Sequence, residues 1–245
     1  MKLCLAGLNS IRSGTYEVLK DIPFVLESFY YIRDYQIPLI KSAELFLLDS
    51  GAFTFFSKGG NVDWAEYIKR YSMFINKNKI DRFFELDIDC LIGYDKVLYY
   101  REKLEDLTGK SAIPVWHFSR GKKEFLKMCE LYNYIAFGGL NTDGIPRSKI
   151  VKYMPWFIQT AHQNKAKIHG LGFTSLKHLP DLHFDSVDST AWISGNRFGS
   201  VYKFNGKTLV TYNRKRGKRL ADNRAVAVHN FKEWVKFAEY AEKYL

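Results

Sequence analysis

Cysteine is scarce in this sequence of 245 residues, which contains only Cys4, Cys90 and Cys129. The three cysteines are scattered, odd in number and form no Cys-x-x-Cys pair. This pattern argues against both a framework of disulfide bonds and a zinc site built from cysteine thiolates. We therefore expect the protein to work in a reducing, intracellular compartment.

Long apolar runs are also lacking. No stretch approaches the ~20 apolar residues of a membrane-spanning helix, and the apolar run within residues 1–14 is too short for a secretory signal peptide. We expect a soluble, cytoplasmic protein that does not contact a membrane. No low-complexity linker or repeat of solenoid length divides the chain, so we predict a single domain over residues 1–245.

The chain is rich in aromatic and in basic residues. It contains 19 Phe, 16 Tyr and 5 Trp, and 47% of its residues are hydrophobic, which excludes a disordered or collagen-like chain. Its 37 Lys and Arg residues outnumber 26 Asp and Glu residues, which gives a formal net charge of +11. A surplus of this size favours a polyanionic partner, most often nucleic acid, over a charge that serves solubility alone.

A dense basic run lies in the last third of the chain, in segment 212–224. Five of its basic residues fall within eight positions: Arg214, Lys215, Arg216, Lys218 and Arg219. This density favours contact with phosphate groups over a solvated loop. An amphipathic C-terminal helix is predicted over residues 231–245, with Trp234, Phe237, Tyr240 and Ala241 on its core face.

Short apolar runs alternate with amphipathic segments along the chain. The predicted strands are Lys2–Leu8, Glu44–Leu48, Phe83–Ile88, Ala112–His117, Tyr134–Phe137, Lys167–Leu171, Phe184–Val187 and Thr208–Tyr212. The predicted helices between them include Asp63–Asn78, with Asp63 as N-cap, Tyr94–Leu107, Lys122–Tyr132 and Pro146–Asn164. This alternation indicates an α/β fold with a parallel sheet, either closed or doubly wound. Eight strands and about 250 residues favour a (β/α)8 barrel of the TIM type.

Acidic and histidine side chains collect where the predicted strands end, the edge that forms active sites in parallel barrels. They are Asp49, Asp87, Asp89, His117, Asp185 and Asp188. One such Asp commonly caps the next helix. Several at one edge suggest chemistry, because a buried carboxylate is costly without a partner or a task. Asp87, Asp89, His117 and His169 offer metal-ligand atoms, but no HxH or HExxH spacing is present, so we expect no metal.

Five motifs occur in order between about residues 45 and 192: Asp49-Ser50-Gly51-Ala52-Phe53, Leu86-Asp87-Ile88, Phe137-Gly138-Gly139-Leu140, His169-Gly170-Leu171-Gly172 and Asp185-Ser186-Val187-Asp188-Ser189. In this order they resemble the DSGGF or DSGSF, LDIP, IGGL, FGAG and DxFDS elements of the tRNA-guanine transglycosylase superfamily. The resemblance depends on the order and approximate spacing of the motifs, since no single motif is specific.

The sequence departs from that superfamily's tRNA enzymes in three ways. It has no cysteine after Asp188, so their structural zinc site is absent, and the chain is much shorter. Val115-Trp116-His117 stands where those enzymes carry a VQG element. A compact form without zinc is more similar to the DNA-modifying paralogues, encoded in phages and bacterial genomic islands, which exchange guanine in DNA for a 7-deazaguanine of the preQ0 type.

The resemblance implies a role for each matched residue. Asp188 would be the nucleophile that attacks the sugar C1′, and Asp49 the general acid and base. Asp87 would accept hydrogen bonds from N1–H and the 2-amino group of guanine, and His117 would donate to O6 or to substituents near N7. The backbone N–H groups at Gly138 and Gly139 would serve O6. Asp89 and Asp185 would support these groups.

The polymer would need its own contacts. Phe53, Trp116 and Trp192 are candidates to stack on the exchanged base, although each is also a candidate core residue. Phosphates would lie on the basic residues of segment 212–224. A base inside a duplex cannot reach a barrel mouth, so the DNA would be single-stranded or have its base flipped out. No cofactor is required, because the glycosidic bond energy is roughly conserved in the exchange.

Three other functions stay open at this stage. A small tRNA transglycosylase would use the same chemistry on another polymer. A base-excising glycosylase or nucleoside hydrolase would resolve the Asp188 intermediate with water and leave abasic sites. A barrel that only binds nucleic acid would tolerate Asp188→Ala and Asp49→Ala, whereas Arg216→Ala and Arg219→Ala would weaken its binding and the salt dependence of that binding.

Overall fold

The structure is a computed structural model of the chain. It describes residues 1–10, 19–20, 22–52, 54–55, 62–138, 144, 146–173, 175–193, 199–213 and 222–245, with the side chains of residues 147 and 148 left out. Several predicted site residues lie outside the described residues: Phe53, Gly139, Arg214, Lys215, Arg216, Lys218 and Arg219.

The described strands and helices alternate along most of the chain. The strands are β1 Lys2–Ala6, β2 Phe24–Ser28, β3 Leu45–Asp49, β4 Val115–Trp116, β5 Tyr134–Phe137, β6 Lys167–Gly170, β7 Ser186–Ser189, β8 Ser200–Phe204 and β9 Leu209–Asn213. The α-helices are α1 Ile37–Ser42, α2 Trp64–Asn78, α3 Asp89–Ile92, α4 Tyr94–Thr108, α5 Gly121–Leu131, α6 Arg147–Gln163 and α7 Asn223–Tyr244. The chain therefore has the α/β architecture that the sequence predicts.

Strands β1 to β7 form one sheet in the order β3-β2-β1-β7-β6-β5-β4. The pairings of β1 with β2 and β7, and of β5 with β4 and β6, are all parallel. Leu3, Cys4 and Leu5 of β1 are fully buried, so successive side chains on both faces of this strand are covered. Burial on both faces is what continuous apolar strands in a parallel sheet require.

The prediction of a closed barrel of eight strands is corrected by this sheet, which has seven. Segment Phe83–Ile88, predicted to be a strand, contributes only single parallel bridges, from Phe83 to Leu48 and from Phe84 to Ile113. Beyond Phe84 the backbone N–H of Val115 donates to the Glu85 side chain rather than to a strand backbone. Strand β2 is an element that the sequence analysis did not predict.

The eighth predicted strand, Thr208–Tyr212, lies in a separate sheet. It corresponds to β9, which pairs with β8 in antiparallel orientation. The Asn205 side chain accepts hydrogen bonds from the backbone N–H groups of Lys207 and Thr208, and Gly206 has a φ of 95°. This tight turn explains the orientation, because so short a connection can only join antiparallel strands.

The helices agree better with their predictions than the strands do. The N-cap prediction for Asp63 is confirmed, since its carboxylate accepts a hydrogen bond of 3.0 Å from the backbone N–H of Glu66. Helix α7 begins at Asn223, eight residues before its predicted start, because Asp222 caps it by accepting from Arg224 and Ala225. Within the described ranges, no helix combines the length and apolar character needed to cross a membrane.

The chain divides into two compact units. Unit 1 comprises residues 1–26, 33–45 and 172–245, and unit 2 comprises residues 27–32 and 46–171. In unit 1, α7 packs against β1 and β8. Of its predicted core face, Trp234, Phe237 and Ala241 are buried, whereas Tyr240 is half-buried. In unit 2, α2 packs against α4, and the Tyr71 hydroxyl donates to the carbonyls of Leu48 and Phe84.

Asn230 of α7 links three backbone groups in unit 1. The side chain is fully buried. Its Oδ1 accepts from the Tyr202 N–H at 2.8 Å, and its Nδ2 donates to the carbonyls of Ser200 and Trp192 at 2.9 Å and 3.3 Å. One amide thus fixes β8 and the segment after β7 to the helix.

We predict that Asn230→Leu lowers the free energy of unfolding by about 3 kcal/mol, because buried polar groups lose their partner. Urea denaturation followed by circular dichroism measures this loss. Glu239→Leu, at an exposed position of the same helix, is the control and should change stability by less than about 0.5 kcal/mol. Equal losses in the two variants would contradict this role for Asn230.

Candidate functional site

Strand β4 ends at Trp116, and His117 continues its extended backbone. Neighbouring side chains along a strand point to opposite faces, so Trp116 lies opposite Val115 and His117. The His117 side chain is buried, and its Nε2 lies 2.6 Å from Oδ1 of Asp87. The structure therefore brings together two residues that the sequence analysis assigned to recognition of the base.

Glu85, two residues before Asp87, is fully buried. Its Oε1 accepts from the Val115 N–H at 2.9 Å and from Arg120 Nη1 at 2.8 Å, and its Oε2 accepts from Arg101 Nη1 at 3.1 Å. Burying one carboxylate between two guanidinium groups offsets the cost of removing it from water. Glu85 therefore fixes the backbone of β4 and two arginines at once.

Arg120 connects Glu85 to the aspartates. Its Nε donates to Asp89 Oδ2 at 3.0 Å, and its Nη2 lies 3.8 Å from Asp87 Oδ1 with no hydrogen-bond partner among the described residues. The guanidinium also lies 4.4 Å from the ring centre of Tyr94. Burial lowers the pKa of Arg120, but the charges of Glu85, Asp87 and Asp89 outweigh burial and raise it. Arg120 is therefore charged throughout the physiological range.

These residues form what we call the acid–arginine cluster, made of Glu85, Asp87, Asp89, Arg101, His117 and Arg120. Its three carboxylates face two guanidinium groups, so a protonated His117 brings the cluster to neutrality. Burial lowers the pKa of His117, but the charge and hydrogen bond of Asp87 outweigh it, and the pKa is raised overall. The cluster thus holds a hydrogen-bond donor, His117, against an acceptor, Asp87.

Three members of this cluster offer ligand atoms for a metal ion. Atoms of Asp87, Asp89 and His117 lie within 4.8 Å of one another. Arg120 competes for the same carboxylates, and its fixed positive charge opposes a divalent cation at this position. His169, the fourth candidate from the sequence, lies outside this group in the described part of the chain. We keep the prediction that the site works without a metal.

Gly138, at the end of β5, lies against His117. A Cβ atom at this position would lie 2.6 Å from Val115 Cγ1 and 3.1 Å from His117 Nε2, so any side chain would displace one of them. The Gly138 N–H donates to the Trp116 carbonyl at 2.8 Å. Because that bond already uses the N–H, Gly138 contributes close packing against Val115 and His117 rather than a donor for O6.

Asp49 ends β3 at a tight loop in unit 2. Its Oδ2 accepts from the Gly51 N–H at 2.9 Å. Gly51 has a φ of 71°, and a Cβ there would lie 2.5 Å from Ser28 Oγ, so only glycine fits. The Tyr67 hydroxyl donates to the Ser50 carbonyl at 2.5 Å. Burial, followed by the charge of Asp49, raises the pKa of Tyr67.

Asp188 belongs to β7, in unit 1. Its residue is 8% exposed, and its Oδ1 accepts a hydrogen bond of 2.6 Å from the Gly172 N–H. The residue opposite it on β1 is Cys4. Burial, followed by the charge of Asp188, raises the pKa of the Cys4 thiol. Asp185 precedes the strand, and its carbonyl accepts from the Lys2 N–H at 2.9 Å.

Two tryptophans that were candidates for stacking on the base are buried in cores. Trp116 is 1% exposed, packs against Phe118, Phe125, Phe137 and Phe157, and lies on the opposite face of β4 from His117. Trp192 is fully buried, and its Nε1 donates to the Ala6 carbonyl at 2.9 Å. Both tryptophans were candidates either to stack on the base or to pack in a core, and the structure shows them packed in a core.

Glu85, Arg101 and Arg120 were not predicted from the sequence as site residues. A signal was present, because Glu85, Asp87 and Asp89 alternate along a segment that is otherwise apolar. Charged residues in a buried segment require internal cations. The sequence does not show which of the 37 basic residues supply them.

No protein-family model and no curated protein sequence matches this chain. The assignment of a function therefore depends on the side chains and charges described above.

We predict that Asp87→Asn lowers the pKa of His117, because burial then opposes the imidazolium without the Asp87 charge. NMR titration of the His117 imidazole measures this shift. In the wild type, protonated His117 stabilises the folded state. This stabilisation is complete at pH values below the ordinary pKa of 6.5, and it is lost as the pH rises through the raised pKa. The difference in unfolding free energy between the wild type and Asp87→Asn should therefore shrink as the pH rises from 6.5 through the raised pKa of His117.

Asp95→Asn removes an exposed carboxylate from α4 and serves as the matched control. It should leave the titration of His117 unchanged. A His117 pKa that responds equally to both substitutions would show that the ion pair with Asp87 does not set it.

Proposed function

We propose that the protein is a base-exchange enzyme that replaces guanine in DNA with a 7-deazaguanine. The observation that carries this proposal is the Asp87–His117 pair beside Gly138. Guanine presents two adjacent donors, N1–H and the 2-amino group, and an acceptor, O6. A carboxylate and a protonated imidazole are the complementary acceptor and donor, and the substrate would take over the 2.6 Å hydrogen bond that Oδ1 of Asp87 and Nε2 of His117 make with each other.

The surroundings of this pair support recognition of a base. Gly138 lets β5 approach His117 closely, because even a Cβ atom at this position would lie 3.1 Å from His117 Nε2. Arg120 keeps one buried N–H group 3.8 Å from Asp87 Oδ1, without a hydrogen-bond partner among the residues described. The ion pairs of Glu85 hold these groups before substrate arrives, and such preorganisation is what makes polar recognition effective.

In the proposed reaction, the Asp188 carboxylate attacks C1′ of the target nucleotide. The C1′–N9 bond breaks, a C1′–O ester forms, and guanine leaves with the electron pair and a proton supplied by Asp49. Asp49 then takes the N9 proton of the incoming 7-deazaguanine, whose N9 attacks C1′ and releases Asp188. Two displacements keep the configuration at C1′, as in retaining glycosidases.

The division of the chain sets a requirement on this mechanism. Asp188 belongs to unit 1, whereas Asp49, Asp87 and His117 belong to unit 2. The proposed reaction needs groups from both units to act on one nucleotide. That nucleotide must be single-stranded or flipped out of its duplex, because its C1′ and base edge are otherwise covered by stacking and pairing.

DNA is the polymer that we propose, on two features of the sequence. The chain lacks the cysteines of the zinc site in the tRNA enzymes that it resembles, and its net charge of +11 favours a polyanion. The exchange conserves the number of glycosidic bonds, so it needs no oxidant, reductant or energy source.

We predict that labelled guanine enters DNA in the presence of the protein, and that Asp188→Asn lowers this exchange at least about 10³-fold, because the nucleophile is lost. Asp49→Asn should lower it about 10²–10⁴-fold, as expected for a general acid and base. The assay is run in parallel on tRNA. Asp181→Asn, an exposed acid near β7, is the control and should exchange guanine like the wild type.

Each other outcome has a defined meaning. Label in tRNA alone would keep the mechanism and reassign the polymer. Release of guanine with abasic sites would indicate a hydrolase in which water resolves the intermediate. Binding of DNA with neither exchange nor release would contradict the proposed catalytic role of Asp188.

A further inference from the structure

An open groove in unit 2 is lined almost entirely by aromatic rings. We call it the aromatic groove; it has a volume of about 390 Å³ and is lined by Trp116, Phe118, Tyr153, Trp156, Phe157 and Lys122. Sites for small organic ligands span about 300–1,000 Å³ and are mostly apolar. The groove therefore has the size and the character of a ligand site.

The floor of the groove is buried and its rim is exposed. Trp116 and Phe157 form the floor, where their ring centres lie 4.5 Å apart and both residues are buried. Tyr153 and Trp156, on α6, stay 52% and 37% exposed. Large aromatic rings left in solvent beside a packed floor offer flat faces to a ligand.

Basic residues outnumber acidic ones on α5 and α6, the two helices that line the groove. Lys122 Nζ lies 4.4 Å from the ring centre of Trp156. Further lysines on α5 and α6 are exposed: Lys123, Lys127, Lys149 and Lys152. Residues 147–163, which form α6, include no acidic residue. Helix α5 has two: Glu124, which accepts a hydrogen bond from the Tyr94 hydroxyl, and the exposed Glu130. A ligand that combines a flat apolar face with negative charge fits these surroundings.

We propose that the aromatic groove binds a base of single-stranded nucleic acid, stacked on Trp156 and Tyr153, with the neighbouring phosphates near Lys122 and the other lysines of α5 and α6. Aromatic platforms bordered by basic residues are how proteins hold single strands without reading their sequence. An apolar protein segment would fill the floor but would leave this charge unmatched.

The groove is separate from the acid–arginine cluster. Trp116 forms part of its floor, and Trp116 and His117 point to opposite faces of β4. The groove and the Asp87–His117 pair would therefore hold two different bases of the nucleic acid. The inference concerns binding alone and does not require the exchange reaction.

The test measures the affinity of the full chain for a fluorescent oligodeoxythymidylate of 12 nucleotides by anisotropy. A second probe of the same length and charge carries abasic sites in place of the bases. Trp156→Ala and Tyr153→Ala should each weaken binding of the first probe about tenfold, because a stacked base loses its platform. They should leave binding of the abasic probe nearly unchanged.

The controls separate stacking from folding, charge and catalysis. Tyr99→Ala removes an aromatic ring that is 53% exposed on α4, and it should bind both probes like the wild type. Lys122→Gln should reduce the slope of log affinity against log salt by about 0.7, the value for one phosphate on a single strand. Asp188→Asn should bind normally, so loss of exchange and loss of binding can be told apart.

Several results would overturn the proposal. It fails if the Trp156→Ala variant has the same affinity for the first probe as the Tyr99→Ala variant and is as thermally stable as the wild type. It fails if the abasic probe binds the wild type as tightly as the probe with bases. Sedimentation that shows a dimer dissociated by Trp156→Ala would assign the groove to a second copy of the chain instead.

Discussion

The buried carboxylate of Glu85 is the constraint on which the candidate site depends. It accepts from the backbone of β4 and from two guanidinium groups, those of Arg101 and Arg120. Removing one partner from such a network leaves an uncompensated buried charge, which typically costs about 3–5 kcal/mol. The positions of Arg120, Asp87 and His117 follow from this ion pairing, because Arg120 reaches both aspartates from the same guanidinium.

Strand β4 separates two surfaces of different chemistry. On the face of His117, paired charges offer a donor and an acceptor that match the edge of a guanine. On the face of Trp116, aromatic rings border a groove with lysines around it. A polymer whose units combine a flat base with a phosphate suits both surfaces, one through hydrogen bonds and the other through stacking. The two proposals, base exchange and single-strand binding, thus concern the same class of partner.

Local patterns explain what the sequence predicted well. The cap at Asp63 and strand β5 depend on neighbouring residues and were predicted correctly. The pairing of strands depends on distant residues. Phe83–Ile88, predicted as a strand, therefore forms only single bridges, and Thr208–Tyr212, predicted as the eighth strand of the barrel, pairs instead with β8, which was not predicted. Arg120 escaped prediction for the same reason, because Asp89 and Glu85 lie 31 and 35 residues away along the chain. Strand alternation alone would have placed Trp116 opposite His117.

The covalent intermediate tests the central claim most directly. Protein mixed with a guanine-containing single strand, quenched in acid and analysed by mass spectrometry should gain the mass of the strand minus its guanine. Peptide mapping should locate the ester on Asp188, and Asp188→Asn should form no adduct. An adduct on another residue, or exchange of guanine without any adduct, would contradict the account.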